Sequence, residues 1–185
     1  MNYIVPIKYY LYHLNHDIPQ VVYCGLLITF FLGVILQIFK KGIHIGHDIS
    51  KLLLVEYILI LYLLTVVYRK EGNVRKYDFM PFWSYKEIID GKELLLVENI
   101  MNILIFVPIG ILLGCSFRTM SWKLCLLTGC LLSVCIEIFQ FMLKRGFTEF
   151  DDVMHNTLGC MMGYGLYSLI RYGYEWIHKR RVAVL

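Results

Sequence analysis

Hydrophobic positions along the chain gather into five runs: Val21–Phe39, Leu52–Tyr68, Ile100–Phe117, Leu124–Leu143 and Val153–Tyr172. Each is close to the ~17–25 residues that a helix needs to cross a bilayer. The connections Lys40–Lys51, Arg118–Lys123 and Lys144–Asp152 are short and polar, so consecutive spans are predicted to pack as antiparallel neighbours. The pattern predicts an all-α fold, a polytopic membrane helical bundle of about five transmembrane helices. It contains no internal repeat and no low-complexity tract.

The connection Arg69–Asn99 between spans two and three is much longer. Ser84 and Glu87 have the spacing of a capping box, and Gly91 suits the end of the short helix it would start. Phe82, Trp83 and Tyr85 belong at headgroup level, which predicts a short interfacial helix lying on the membrane. It serves either as an aromatic anchor or as a lid over a site.

Polar residues interrupt the runs where they are costly. A charged side chain at a helix centre costs about 2.5–3.5 kcal/mol to insert, less near the ends, and usually marks a functional interior. Glu137 lies within the fourth span, and Asp151 and Asp152 open the fifth, which also carries His155 and Asn156. With five spans, the Arg69–Asn99 and Lys144–Asp152 connections must emerge on the same side. Arg69, Asn102, Glu137, Gln140, Arg145, Asp151, Asp152 and Asn156 then collect at one mouth of the bundle.

Helical spacing orders these positions further. Residues three or four apart share a face. Cys125, Gly129, Ser133, Glu137 and Gln140 form one ridge, Asp152, Asn156, Gly159 and Gly163 a second, and Asn102, Phe106, Gly110 and Gly114 a third. Gly110–Gly114 and Gly159–Gly163 are GxxxG pairs, which let backbones approach closely. Spans three to five are therefore predicted to form a tight bundle with a polar pocket at its mouth. Pro108 would kink the third span and free a carbonyl below Asn102.

Composition places the chain in a membrane. It is 58% hydrophobic and 17% charged, against about 45–50% and 25% in soluble domains. Met1–Gln20 is Tyr-rich and offers no small-residue cleavage site, so no cleavable signal is expected there. The net charge of +4 comes from Lys and Arg at span ends, which suits anionic lipid headgroups and argues against nucleic acid. Lys40, Lys41, Lys51, Arg118, Lys123, Arg171 and the Lys179-Arg180-Arg181 tail favour the N-terminus outside and the C-terminus in the cytoplasm of a bacterial plasma membrane. The six cysteines show no CxxC and no His spacing and read as small packing residues. Asp151 and Asp152 have no DxD or His partner pattern, so no metal and no cofactor is expected. His44 and His47 read as a solvated turn, and Glu56 as an interhelical partner. The oligomeric state is not legible.

The ordered blocks resemble the VanZ-like family. They are Arg69 after a span, Phe79-Met80-Pro81-Phe82, NILIFVPIGILL from Asn102 to Leu113, SVCIEIFQ from Ser133 to Gln140, and RGFTEFDDVMHNTLGCMMG from Arg145 to Gly163. The likeness runs from about Leu52 to Ile170. It divides the chain into residues 1–51 with an additional first span, a VanZ-like membrane domain over 52–172, and a basic cytoplasmic tail over 173–185. His155 stands where the family usually has an apolar residue. The resemblance implies a Gram-positive cell-envelope role in resistance to teicoplanin and related lipoglycopeptides, with no reaction attached.

Three readings of the polar mouth remain open. It binds or remodels a lipid-linked cell-wall precursor, another envelope lipid or the drug, with Arg69 and Arg145 on phosphate or carboxylate groups and Asn102, Ser133, Gln140, Asp151, Asp152 and Asn156 reading the headgroup. Alternatively it is an intramembrane enzyme in which Glu137 is a general acid or base. Otherwise Glu137, Arg145 and Asp152 form ion pairs that hold the bundle, which acts through protein partners. One of Asp151 and Asp152 is also expected to cap its own helix.

Overall fold

The apolar runs from Leu52 onward fold as helices in the computed structural model, which describes residues 45–183, with side chains over 47–179. The first element, α1, runs Ile45–Tyr62 and continues as a π-helical turn, Leu63–Val67. A three-residue strand β1 (Lys76–Asp78) and a short helix α2 (Trp83–Ile89) follow. Then come α3 (Leu94–Ser116), α4 (Trp122–Leu143), a second short strand β2 (Phe147–Glu149) and α5 (Phe150–Ala183). Among the described residues, three helices are long and apolar enough to cross a membrane: His47–Val67, Leu94–Ser116 and Trp122–Leu143. The fold is an all-α membrane helical bundle.

The third span begins at Leu94, about a turn and a half before the expected Ile100. The fifth expected span lies inside α5, long enough to cross but too rich in Asn, His, Gly and Tyr to qualify by hydropathy. Val21–Phe39, His44 and the N-terminal 44 residues lie outside the described residues.

Consecutive helices α1 and α3, and α4 and α5, pack as neighbours as expected, and one consecutive pair departs from that expectation. Consecutive helices α3 and α4 barely touch, and the closest interface joins α3 to α5. Small residues explain the choice. A methyl on Gly110 would overlap the Cys160 carbonyl and Tyr164 N–H, one on Gly159 the Ile103 carbonyl, and one on Gly163 the Val107 carbonyl. The two backbones are thus in direct contact, where dispersion and Cα–H···O contacts replace side-chain packing. Gly114 makes room for the Tyr167 ring, and Gly129 on α4 seats Cys160. The Cys125 and Cys160 sulfurs are 3.4 Å apart as free thiols, so these residues fill a helix crossing. Phe106 and Ile109 are fully buried at its centre.

Pro108 removes a donor from the middle of α3. In the same turn Tyr57 of α1 donates its hydroxyl to the Ile105 carbonyl at 2.8 Å, which ties α1 to α3 where the helix ladder is broken.

The connection between α1 and α3 is folded back on the bundle. Strand β1 pairs in parallel with β2, Tyr77 opposite Thr148. Gly72 N–H donates to the Lys144 carbonyl at 2.7 Å. Lys144, at φ 54°, and Gly146, at φ 92°, turn the chain out of α4 so that β2 can lie there. Strands this short carry no readable alternation.

The capping box expected at Ser84 and Glu87 is not formed. Helix α2 starts two residues earlier, after Phe82 in the left-handed conformation with no side-chain cap, and Ser84 is buried inside it. Gly91 does follow the end of α2, at φ 99°. His47 is not in a solvated turn: it lies in α1, with Nδ1 2.6 Å from the Cys115 carbonyl, and Arg118 Nε donates to its Nε2 at 3.2 Å.

Candidate functional site

Four helix ends meet at one end of the bundle: the close of α1, the start of α3, the close of α4 and the start of α5. They enclose a cavity of about 70 Å³ lined by Thr65, Arg69, Glu98, Asn99, Asn102, Glu137, Gln140, Glu149, Asp152 and Asn156 over a floor of Ile105, Phe106 and Ile136. Six residues singled out from sequence thus line one space: Arg69, Asn102, Glu137, Gln140, Asp152 and Asn156.

Each is held by a partner from another element. Asn102 of α3 donates to Asp152 Oδ1 of α5 at 2.6 Å. Glu137 Oε2 accepts the Glu149 N–H at 3.0 Å, tying α4 to β2. Gln140 Nε2 donates to the Thr65 carbonyl at 3.0 Å, and that carbonyl is open because α1 ends in a π turn. Asn156 Nδ2 donates to Ser133 Oγ at 2.8 Å. Arg69 lies exposed at the mouth, its guanidinium packed where a side chain on Gly146 would sit. It acts electrostatically on Glu98, Glu137 and Asp152.

Three predicted site residues stand outside the lining. Ser133 is fully buried behind Asn156 and orients it. Arg145 donates to the Val66 carbonyl at 3.3 Å and closes the end of α1. Asp151 is turned away, toward α2. Its Oδ1 accepts from Phe82 N–H at 2.6 Å, and its Oδ2 accepts from Ser84 N–H at 3.0 Å and Ser84 Oγ at 2.6 Å. Neither Asp151 nor Asp152 is spent on capping its own helix, since both carboxylates are taken by neighbouring elements.

The Asp151 bonds hold α2 against the start of α5. Asn99 Nδ2 reaches Ser84 Oγ at 3.1 Å, Trp83 Nε1 donates to Glu149 Oε2 at 3.1 Å, and the Tyr85 hydroxyl sits 2.8 Å from His155 Nε2. Phe82, Tyr85 and Ile89 point outward. Helix α2 therefore presents an aromatic surface beside the mouth.

Sequence reasoning missed Glu98 and Glu149. Glu98 stands one turn before Asn102 on the Asn102–Gly114 ridge, and only the late start assigned to span three hid it. Glu149 sits in β2, where a helical pattern gives no signal. Burial, followed by the Asp152 carboxylate, pushes the Glu149 carboxyl up to about 8, against the opposing Trp83 hydrogen bond.

The expected ion pairs are absent. Among the described residues the ion pairs are Lys51–Asp48, Lys92–Glu87 and Arg171–Glu175, all away from the cavity. No three His, Cys, Asp or Glu side chains among the described residues converge closely enough to hold a metal ion.

A second space adjoins the first. An apolar cavity of about 280 Å³ lies between Phe79, Val134, Ile138, Phe141, Phe150 and Val153, and Glu137 and Glu149 line both spaces.

The VanZ/LLP1 family profile matches residues 51–171, which covers every described helix down to the middle of α5. The chain belongs to the VanZ/LLP1 family. It is 29% identical over 133 residues to "Protein VanZ" of Enterococcus faecium, covering 72% of this chain and 76% of that protein. No solved structure matches it. The VanZ/LLP1 match contains all the cavity residues, both GxxxG pairs and helix α2, and leaves residues 1–50 outside.

Proposed function

We propose that this VanZ/LLP1 protein binds the polar headgroup of a lipid-linked envelope molecule in the polar cavity, with α2 acting as its lid, and thereby contributes to teicoplanin and lipoglycopeptide resistance. The observation that carries the reading is the pairing of the two cavities. A polar space sized for part of a headgroup shares two of its wall residues, Glu137 and Glu149, with an apolar space that suits a hydrocarbon chain. A ligand polar at one end and apolar at the other matches that division.

Binding is favoured over catalysis by the chemistry of the lining. It has no serine, cysteine or histidine, and its one hydroxyl, Thr65, donates to the Leu61 carbonyl at 2.8 Å. A hydroxyl beside Glu137 outside this lining, that of Thr148, is spent on the Glu137 carbonyl at 3.4 Å, so no hydroxyl is placed for Glu137 to activate. A purely structural role is disfavoured because the buried carboxylates are not neutralised by ion pairs.

In the favoured topology the cavity faces outward, where envelope precursors are exposed. The test compares lipid extracts of expressing and non-expressing cells with the lipids that co-purify with the chain. An unchanged envelope lipid profile with one headgroup class enriched on the protein is expected. A new or depleted envelope lipid would contradict binding alone.

A further inference from the structure

The hydrogen-bonding inventory of the polar cavity is one-sided. Gln140 is 3% exposed and Asn156 is 4% exposed. Both line the cavity, yet Gln140 Oε1 and Asn156 Oδ1 have no hydrogen-bond partner among the described residues. The orientation of Gln140 is fixed, because its amide nitrogen must face the Thr65 carbonyl. Carboxyl groups of Glu98, Glu137, Glu149 and Asp152 line the same space, and their free oxygens add further acceptors.

Part of the donor capacity of the same wall is committed, one N–H of each two-donor amide being used within the protein. The Asn102 amide serves Asp152, the Thr65 hydroxyl serves Leu61, and the Asn156 amide serves Ser133. Leaving a buried acceptor unmet costs about 1–3 kcal/mol, so a cavity with two such oxygens among carboxylates is matched to an occupant that brings donors and positive charge. The carboxylates do not converge on a metal-sized point. A –NH3+ group has three donors and can spread them over separated acceptors. The single guanidinium, Arg69, lies at the exposed mouth and suits a phosphate one group further out.

We infer that the cavity recognises a primary ammonium group carried by a lipid headgroup, with Gln140 and Asn156 accepting from it and Arg69 facing the adjoining phosphate. The inference rests on the headgroup-binding reading and narrows the class of headgroup.

The test uses the full chain purified in mild detergent and native mass spectrometry. Dioleoyl phosphatidylethanolamine, phosphatidylcholine and phosphatidylglycerol are the probes. Phosphatidylcholine has the same charge pattern without N–H donors. Retention of phosphatidylethanolamine over phosphatidylcholine by about tenfold or more is expected, since a site built to donate to or accept from a group rejects the analogue lacking it. Gln140→Met, which keeps the volume and removes the acceptor together with the hydrogen bond to Thr65, is expected to erase that preference while the chain still purifies folded at a lowered melting temperature. Preference retained in Gln140→Met would overturn the inference. The wild-type comparison needs no variant: equal retention of all three lipids, lost in Asp152→Asn, refutes ammonium recognition and leaves headgroup binding standing. Equal retention unaffected by Asp152→Asn refutes both. Free ethanolamine binding as tightly as the lipid would overturn the lipid as its source.

Discussion

Asp151 and Ser84 are 67 residues apart in the chain and share two hydrogen bonds, to the Ser84 N–H at 3.0 Å and to its hydroxyl at 2.6 Å. With the Phe82 N–H at 2.6 Å, they make the buried carboxylate of Asp151 the most heavily bonded of the groups that hold α2. Hydrogen bonds to a charged group contribute about 1.5–3 kcal/mol each, more than the few surface contacts of so short a helix.

Asp151→Ala should therefore loosen the lid before it unfolds the bundle. Hydrogen exchange over residues 79–89 is expected to rise by at least tenfold, with α3 and α5 protected as before. Unchanged exchange in the lid would contradict that hold.

The α3–α5 crossing makes a sharper packing prediction. Gly163→Val and Gly110→Val push side chains into opposing backbone and should cost about 1–3 kcal/mol or abolish folded yield. A methyl group on Gly165 would meet nothing within 4 Å, so Gly165→Ala should be neutral or stabilise by about 0.5–1 kcal/mol. Thermal stability in detergent separates the two classes.

Glu149 sets a pH dependence. Its carboxyl is raised from 4.5 to about 8 in the folded chain. Between those values the folded state keeps a proton that the unfolded state has lost, so stability falls as pH rises from 4.5 to 8 and levels above. Glu149→Gln should flatten the profile. Trp83 reports the same event through its bond to Glu149: in a chain with Trp122 and Trp176 replaced by Phe, its emission should titrate near pH 8. An unchanged profile in Glu149→Gln would contradict this assignment.

Orientation is tested at Lys86, which is exposed on α2. Lys86→Cys is expected to react with a membrane-impermeant maleimide from outside the cell. Labelling from the cytoplasmic side alone would reverse the topology.

What the sequence revealed depended on periodicity. The GxxxG pairs, the Asn102 ridge and the Glu137–Gln140 face were legible because a helix repeats every three or four residues. The α3–α5 pairing was not, since adjacency in the chain favours consecutive neighbours and only the glycine-to-carbonyl contacts decide otherwise. Ser84 was misread because its local spacing suits a cap, while a carboxylate from α5 claims its hydroxyl. Arg145 looked like a ligand-binding cation, and the open carbonyl of Val66 takes it instead. Glu149 lies in a strand of three residues, below the length at which alternation speaks.

The central claim, that the polar cavity carries the resistance role, is tested most directly by teicoplanin tolerance in cells expressing Glu137→Gln or Asp152→Asn at folded yields matched to wild type. Lost tolerance at normal yield is the expected result. Full tolerance in both variants would contradict the account.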